Sequence, residues 1–115
     1  MKTLSALLAI ILFFTFLSCS KSNDTTTPTT PTATINILDG MTYSPSTQTV
    51  AKGTIVYWKN TASVAHTATD AGVFDTGTLS PGSTSAGYTA NTAGTFPYHC
   101  LIHGTTMAGT LIVNP

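Results

Sequence analysis

The chain has 115 residues, of which four are Lys or Arg and four are Asp or Glu, so its formal net charge at pH 7 is zero. Without a basic excess it has little with which to neutralise phosphates, which disfavours nucleic-acid binding. Once the N-terminal segments described next are set aside, about 80 residues remain, enough for one small domain with one core.

Residues 1–18 are predicted to be a signal peptide. Lys2 supplies the positive charge that precedes an apolar stretch from Leu4 to Leu17, interrupted only by Ser5 and Thr15. The stretch is shorter than the roughly 20 residues of a membrane-spanning helix and is typical of the apolar region of a signal peptide. The chain is therefore expected to be exported.

The end of this segment, Phe16-Leu17-Ser18-Cys19, resembles the lipobox of bacterial lipoproteins. The resemblance implies that Cys19 is lipidated after cleavage and anchors the protein to a membrane, in the periplasm or at the cell surface. The alternative is an ordinary secretory signal followed by a chance cysteine.

Residues 19–33 are expected to form the lipidated N-terminus and a Thr/Pro-rich linker. Between Ser20 and Thr32 there is no large apolar side chain, so burial cannot offset the entropy lost on ordering. Threonine and proline favour an extended, solvated chain. The folded domain is therefore predicted to span residues 34–115.

This domain is predicted to be all-β. Short runs rich in Thr, Val, Ile and aromatic residues alternate with Gly, Pro, Asn and Asp, and no segment keeps the 3.6-residue period of an amphipathic helix. Such a pattern predicts a two-sheet sandwich. The candidate strands are Thr34 to Leu38, Gln48 to Val50, Thr54 to Lys59, His66 to Thr69, Thr84 to Thr89, Gly94 to Cys100 and Thr110 to Val113.

One short segment, Pro97 to Gly109, brings together a thiol, an imidazole and a thioether, from Cys100, His103 and Met107. An anionic sulfur, a nitrogen and a soft neutral sulfur suit copper, which changes between Cu(I) and Cu(II). The segment has no carboxylate, which argues against calcium, magnesium and non-haem iron. A fourth ligand must come from elsewhere, and His66 is the one remote histidine of the three.

Strand geometry separates Cys100 from its neighbour His99. Because successive side chains point to opposite faces, Tyr98 and Cys100 share one face and His99 takes the other. His99 is therefore expected to be a surface residue beside the site. Cys100 is expected to be a metal ligand, although a Cys19–Cys100 disulfide remains open if Cys19 is not lipidated.

The sequence also predicts the structural roles of three further residues. Trp58 is predicted to anchor the core beneath the site. Asn60 is predicted to hold a turn or bind the backbone near it. Met41 is predicted to fill the core or an edge of it.

The domain resembles a cupredoxin of the plastocyanin, pseudoazurin and amicyanin group. The matching segments run in order through almost all of it: Tyr43-Ser44-Pro45, Val50 to Asn60, His66-Thr67-Ala68-Thr69, Phe74-Asp75-Thr76-Gly77, Gly94 to His103 and Met107-Ala108-Gly109-Thr110. The resemblance implies a Greek-key β-sandwich of seven to eight strands with one type 1 (blue) copper. Its ligands would be His66 at the end of a central strand, with Cys100, His103 and Met107 in the loop before the last strand.

The chain departs from these families in two places. Its Cys-x2-His-x3-Met loop is one residue shorter between His103 and Met107 than in plastocyanins and pseudoazurins, and one longer than in amicyanins. The length of this loop sets how the axial thioether approaches copper. Thr67 follows His66 where plastocyanins often have an asparagine that bonds across the site, and its hydroxyl is a candidate for a similar bond.

The resemblance and the ligand set predict a monomeric carrier of single electrons and not an enzyme, because four protein ligands leave no position for a substrate. Redox partners are expected to dock near His103, and a second exit for electrons leads through Cys100 to His99. The alternatives are a copper-binding or copper-delivery protein and a metal-free adhesive sandwich. Dissociation rates of the metal and redox reversibility separate the electron carrier from the copper-delivery protein.

Overall fold

A computed structural model describes residues 27–115, and these residues form two β-sheets without any helix. The all-β prediction is thus confirmed, and no helix of the described part is long and apolar enough to cross a membrane. The nine strands are β1 (Thr32–Leu38), β2 (Thr42–Ser44), β3 (Thr47–Ala51), β4 (Ile55–Asn60), β5 (Thr69–Asp70), β6 (Phe74–Asp75), β7 (Tyr88–Thr89), β8 (Gly94–Cys100) and β9 (Gly104–Asn114).

The first sheet has the order β2-β1-β4-β7 and the second the order β3-β9-β8-β5-β6. Each sheet contains one parallel pair, β1 with β4 and β3 with β9, while the other pairs are antiparallel. The chain therefore crosses repeatedly between the two sheets. This exchange brings the end of β8 close to the segment that follows β4, although the two are far apart in sequence.

Three strands are longer than predicted, and of these β3 gains one residue at each end. β1 begins at Thr32, within the expected linker, because Thr32 and Ala33 pair with Ile55 and Val56 of β4. Backbone pairing does not depend on side-chain polarity, so composition did not reveal it. β9 begins at Gly104 and not at Thr110. Met107 accordingly lies within the last strand, and its expected place in the loop before that strand is wrong.

Two predicted strands are shorter in the structure. Residues 66–69 and 84–89 contribute only the short strands β5 and β7, with isolated bridges from His66 to Leu79 and from Lys59 to Thr84. Side chains take the place of the missing ladder: the N–H of Ala68 donates to Thr76 Oγ1 at 2.9 Å. The segment around His66 is thus held by specific bonds instead of a regular strand.

The core lies between the sheets and is built on aromatic side chains. Trp58 is fully buried, stacks on Phe74 with ring centroids 4.9 Å apart, and meets the edge of Tyr98 at 5.6 Å. Tyr98 in turn contacts Tyr43 at 4.7 Å. The prediction of Trp58 as a core anchor is confirmed, and the alternation on β8 buries Tyr98 and Cys100 together.

Met41 does not belong to this core. Its side chain is 45% exposed, and its backbone adopts a left-handed conformation with φ of 59° in the turn before β2. The prediction of a core or edge filler is therefore wrong. The reason is local: the Asp39-Gly40-Met41 turn directs the side chain to solvent, which the apolar character of methionine does not reveal.

Gly109 is required by the close approach of Tyr98, which lies directly opposite it on β8. A Cβ atom on residue 109 would overlap the Tyr98 ring. We therefore expect Gly109→Ala to lower the free energy of unfolding by about 2 kcal/mol or more, because a tightly packed core does not accept added volume. Denaturant unfolding followed by Trp58 fluorescence measures the change. Ala108→Ser, at the adjacent exposed position, is the control, and equal stability of all three chains would contradict the packing argument.

Candidate metal centre

Three donor side chains converge at one end of the sandwich: His66, Cys100 and His103. Their candidate ligand atoms all lie within 4.8 Å of one another. Cys100 Sγ is 3.9 Å from Nδ1 of His66 and 3.5 Å from Nδ1 of His103. The two imidazole rings are 4.7 Å apart, centroid to centroid. The residues predicted from two distant segments are thus neighbours.

These separations fit a first-row metal ion. Bonds of about 2.0 Å to nitrogen and 2.3 Å to sulfur, as in zinc sites, place the two donors roughly 3.5 to 3.7 Å apart at tetrahedral to trigonal angles. The observed nitrogen-to-sulfur distances of 3.5 and 3.9 Å bracket this range. One thiol and two imidazoles also form a donor set that copper favours.

The end of β8 and the turn after it place two of the donors. Cys100 is the last residue of β8, and the pairing with β9 shifts register between His99 and Cys100. Residues 101–103 then form the turn to β9, and Gly104 follows with φ of 70°, a left-handed conformation that glycine accepts without strain. The thiol is completely buried while His103 is half-buried, so His103 is the donor nearest to solvent.

His66 approaches from the other side of the site. Its backbone exchanges two hydrogen bonds with Leu79, of 3.1 and 2.7 Å, and its side chain is 1% exposed. Burial lowers the pKa of His66, and the neighbouring His103 lowers it further, whereas Asp39 acts in the opposite direction. A lowered pKa favours the neutral imidazole, the form that binds a metal.

Met107 faces the interior from β9. Inward and outward positions alternate along the strand, so Met107, Gly109, Leu111 and Val113 are buried on one face. Met107 is fully buried and lies four residues after His103, close to where β9 leaves the turn. A thioether here would supply copper with a soft, neutral donor.

The comparisons with known proteins agree with this arrangement. The model of the cupredoxin-like domain matches residues 7–113. The chain belongs to the cupredoxin-like family. Cupredoxins are typically copper proteins of electron transfer, generally without enzymatic activity, and are typically exported.

Solved cupredoxin structures share the fold. A purple cupredoxin from Nitrosopumilus maritimus is 26% identical with a TM-score of 0.64, covering 71% of this chain and 99% of its own. An oxidised amicyanin variant is 25% identical with a TM-score of 0.63, covering 70% and 80%. The Cu(I) form of another amicyanin variant is 26% identical with a TM-score of 0.64, covering 72% and 82%. No curated protein sequence matches significantly.

The prediction of copper as cofactor agrees with these relatives. Cupredoxin homologues bind one copper ion, and His66, Cys100, His103 and Met107 form a site that suits it. The structure places the two imidazoles and the thiol together, and it buries the thioether in the adjoining strand.

Asn60 holds the segment that leads to His66. Its fully buried amide donates from Nδ2 to the carbonyl oxygens of Val64 and Leu79, each at 2.8 Å, and its Oδ1 accepts the N–H of Ala62 at 2.9 Å. One side chain thus binds both the segment that leads to His66 and the Leu79 segment that pairs with it. The prediction that Asn60 binds the backbone near the site is confirmed.

Thr67 connects the His66 segment of the site to the Cys100 segment. Its N–H donates to Cys100 Sγ at 3.4 Å, and its Oγ1 accepts the N–H of Leu101 at 2.9 Å. The backbone N–H, and not the hydroxyl, therefore bonds to the thiol. The Tyr43 hydroxyl donates to the carbonyl oxygen of Thr67. Burial raises the pKa of Tyr43 above its usual range, so this donor keeps its proton.

His99 is separate from the three donors, as predicted. It is half-buried on the other face of β8, where it pairs with Thr69 and Ala108. The sequence did not single out Tyr43, Thr69 and Asp75, which bind to residues of the site through side-chain hydroxyl and carboxylate groups. All three lie in the family-like segments, and this was the only available signal.

Proposed function

We propose that the chain carries single electrons through one copper ion held by His66, Cys100, His103 and Met107. The observation that carries the proposal is the buried thiol of Cys100, 3.9 and 3.5 Å from the Nδ1 atoms of two histidines. Two imidazoles, a thiolate and a weak axial thioether are the blue-copper donor set, and the bound ion supplies a one-electron Cu(I)/Cu(II) couple.

The residues of the chain support this role in two ways. They hold the donors in a rigid frame, since Asn60 fixes the approach to His66 and Thr67 binds both Sγ and the backbone of the turn. They also exclude water, because Cys100, His66 and Met107 are at most 1% exposed. A site filled by four protein donors leaves no open position for a substrate, which supports a carrier and not an enzyme.

Partner proteins would dock on the turn that holds His103. Leu101 is 57% exposed and Ile102 50%, so two apolar side chains stand in solvent next to the least buried donor. Exposed apolar side chains beside a site are suited to transient contacts with a partner. His99 remains a second exit by its position next to Cys100.

The remaining elements of the proposal concern the location. Cys19 and the signal peptide lie outside the described residues. The lipobox-like sequence supports export, cleavage and lipidation at Cys19, which would tether a monomeric cupredoxin domain to a membrane in the periplasm or at the cell surface. Labelled palmitate incorporated into the chain, and lost in Cys19→Ser, is the expected result.

The main alternative is a copper-delivery protein. A carrier must keep its ion through many redox cycles, whereas a delivery protein must release it. We expect the copper-loaded full chain, kept in mild detergent because of its apolar residues 4–17, to undergo repeated reduction by ascorbate and reoxidation without losing copper to a Cu(I) chelator. Loss of the ion to the chelator after one reduction would favour delivery.

Docking at the His103 turn is tested with Leu101→Lys. Two copies that exchange an electron through this turn would bring two added ammonium groups together, so we expect the self-exchange rate to fall about tenfold or more. Line broadening in NMR spectra of mixed oxidised and reduced chain measures this rate. Thr95→Lys, near the other end of β8, is the matched control. An unchanged rate in Leu101→Lys would contradict docking at this turn.

A further inference from the structure

A chain of hydrogen bonds runs from the backbone of the metal centre to the carboxylate of Asp75. The N–H of Leu101 donates to Thr67 Oγ1 at 2.9 Å. Thr67 Oγ1 lies 3.1 Å from Thr69 Oγ1, and Thr69 Oγ1 donates to Asp75 Oδ1 at 2.9 Å. We name these four groups the hydroxyl chain.

The direction of each bond follows from the number of protons. An ionised carboxylate only accepts, so the single hydroxyl proton of Thr69 goes to Asp75. Thr69 Oγ1 must then accept from Thr67, whose own proton is used in turn. The lone pairs of Thr67 Oγ1 are left to accept from Leu101. All the bonds therefore point from the metal centre towards the negative charge, an arrangement in which each bond polarises the next.

The hydroxyl chain is shielded from water at its centre. Thr67 is 3% exposed and Thr69 5%, so solvent has little access to either hydroxyl. Within a protein such bonds are electrostatically stronger than in water, and leaving one partner unpaired is costly. The far end is fixed as well, because Asp75 Oδ1 also accepts the N–H of Gly77 at 2.9 Å, and Asp75 pairs with the backbone of Thr69.

The near end of the hydroxyl chain is bound to the Cys100 segment at two points, the backbone after Cys100 and the thiol itself. The N–H of Leu101 belongs to the peptide unit that follows Cys100, and the N–H of Thr67 donates to Cys100 Sγ at 3.4 Å. Thr67 is thus bound to the sulfur and to the backbone next to it. A change in the orientation of the Thr67 hydroxyl would alter the geometry of the thiol.

We propose that Asp75 is a positioning residue of the metal centre, which orients the Thr69 and Thr67 hydroxyls and thereby fixes the backbone at Cys100. The role for copper rests on the function proposed above. The positioning itself is a property of the metal-free chain. Asp75 contacts no donor atom of the site and acts through the two threonines.

The first test uses the metal-free full chain. Thr69→Val keeps the shape of the side chain but removes the hydroxyl, and Asp75→Ala removes the carboxylate. In both variants Thr67 Oγ1 is no longer held in place to accept the Leu101 N–H. We therefore expect amide hydrogen exchange of Leu101 to accelerate about fivefold, the factor that corresponds to one hydrogen bond. Exchange of the core residue Leu111 corrects for changes in global stability. Thr69→Ser, which restores a hydroxyl, is expected to return the Leu101 rate to that of the parent chain.

Thr76→Val is the matched control for a purely structural effect. Thr76 lies next to Asp75 and its hydroxyl accepts the N–H of Ala68 at 2.9 Å, but it is not part of the hydroxyl chain. We expect its substitution to leave the corrected Leu101 rate unchanged. An unchanged rate in Asp75→Ala and Thr69→Val, or an equal acceleration in Thr76→Val, would overturn the proposal.

The second test uses the copper-loaded chain. Asp75→Asn keeps the accepting oxygen but removes the charge, so we expect a higher reduction potential, since a negative charge favours Cu(II). Asp70→Asn removes a charge from neighbouring β5, where the carboxylate makes no hydrogen bond within residues 27–115, and controls for simple charge loss. A shift no larger than that in Asp70→Asn would contradict the proposal. If the parent chain bound no copper, the proposed function would fail, while the exchange of Leu101 would still decide the positioning role.

Discussion

Replacing Cys100 by serine is expected to abolish the intense visible absorption of the copper-loaded chain. The band arises from charge transfer between a thiolate and Cu(II), and Cys100 is the buried thiol at the convergence of the two histidines. A serine hydroxyl is a hard, poorly acidic donor that does not replace a thiolate. Titration of the full chain with Cu(II), followed by visible spectroscopy, compares the parent chain with Cys100→Ser.

Cys19→Ser is the matched control, because it removes the other cysteine of the chain. We expect it to keep the full band, since Cys19 is assigned to the lipid anchor. Loss of the band in Cys19→Ser, or its survival in Cys100→Ser, would contradict the assignment of the thiolate ligand. An increase in free thiol on reduction of the parent chain would instead indicate the Cys19–Cys100 disulfide.

Asn60→Ala is expected to produce the largest loss of stability. The substitution removes three hydrogen bonds: it leaves the buried N–H of Ala62 without a partner, and it takes the Asn60 donor from the carbonyl oxygens of Val64 and Leu79. Each hydrogen bond is worth about 1 kcal/mol, and the buried N–H left unpaired costs about 1 to 3 kcal/mol, so we expect a total loss of about 3 kcal/mol or more. Denaturant unfolding of the metal-free chain, followed by Trp58 fluorescence, measures it.

Ser63→Ala is the control for this prediction because it lies in the same connection before His66. The Ser63 hydroxyl and N–H bond to the Asp39 carboxylate at 2.8 and 2.9 Å, but both groups are exposed, so water replaces the lost hydroxyl bond. We expect a loss of about 0.5 kcal/mol or less. Equal losses in the two variants would show that burial of the amide is not the cause. Copper affinity is expected to fall in Asn60→Ala alone, since only this variant releases the segment that holds His66.

The donor groups were predictable from the sequence because their chemistry is carried by residue type. Cys100, His103 and Met107 lie within one short segment, and His66 was the remaining remote histidine. The strict alternation along β8 also predicted which side chains are buried, since the period of a strand is fixed by its geometry. The two-sheet fold followed from the same alternation and from the turn residues.

The bonds that hold the donors were not predictable in the same way. The start of β1 at Thr32 depends on pairing with Ile55, and the start of β9 at Gly104 depends on pairing with Cys100, so neither is a local property. The hydroxyl chain likewise depends on the pairing of β6 with β5, which brings Asp75 to Thr69, and on the pairing of β5 with β8. Tertiary placement decides such contacts, and single-residue preferences carry no information about it.

The central claim is that a thiolate and two imidazoles from separate segments bind the same copper ion. X-ray absorption at the copper edge, recorded on the full chain loaded with one equivalent of copper, tests it most directly. We predict one short sulfur scatterer and two imidazole nitrogens in the first shell of the ion. A first shell of oxygen and nitrogen without sulfur would contradict the account.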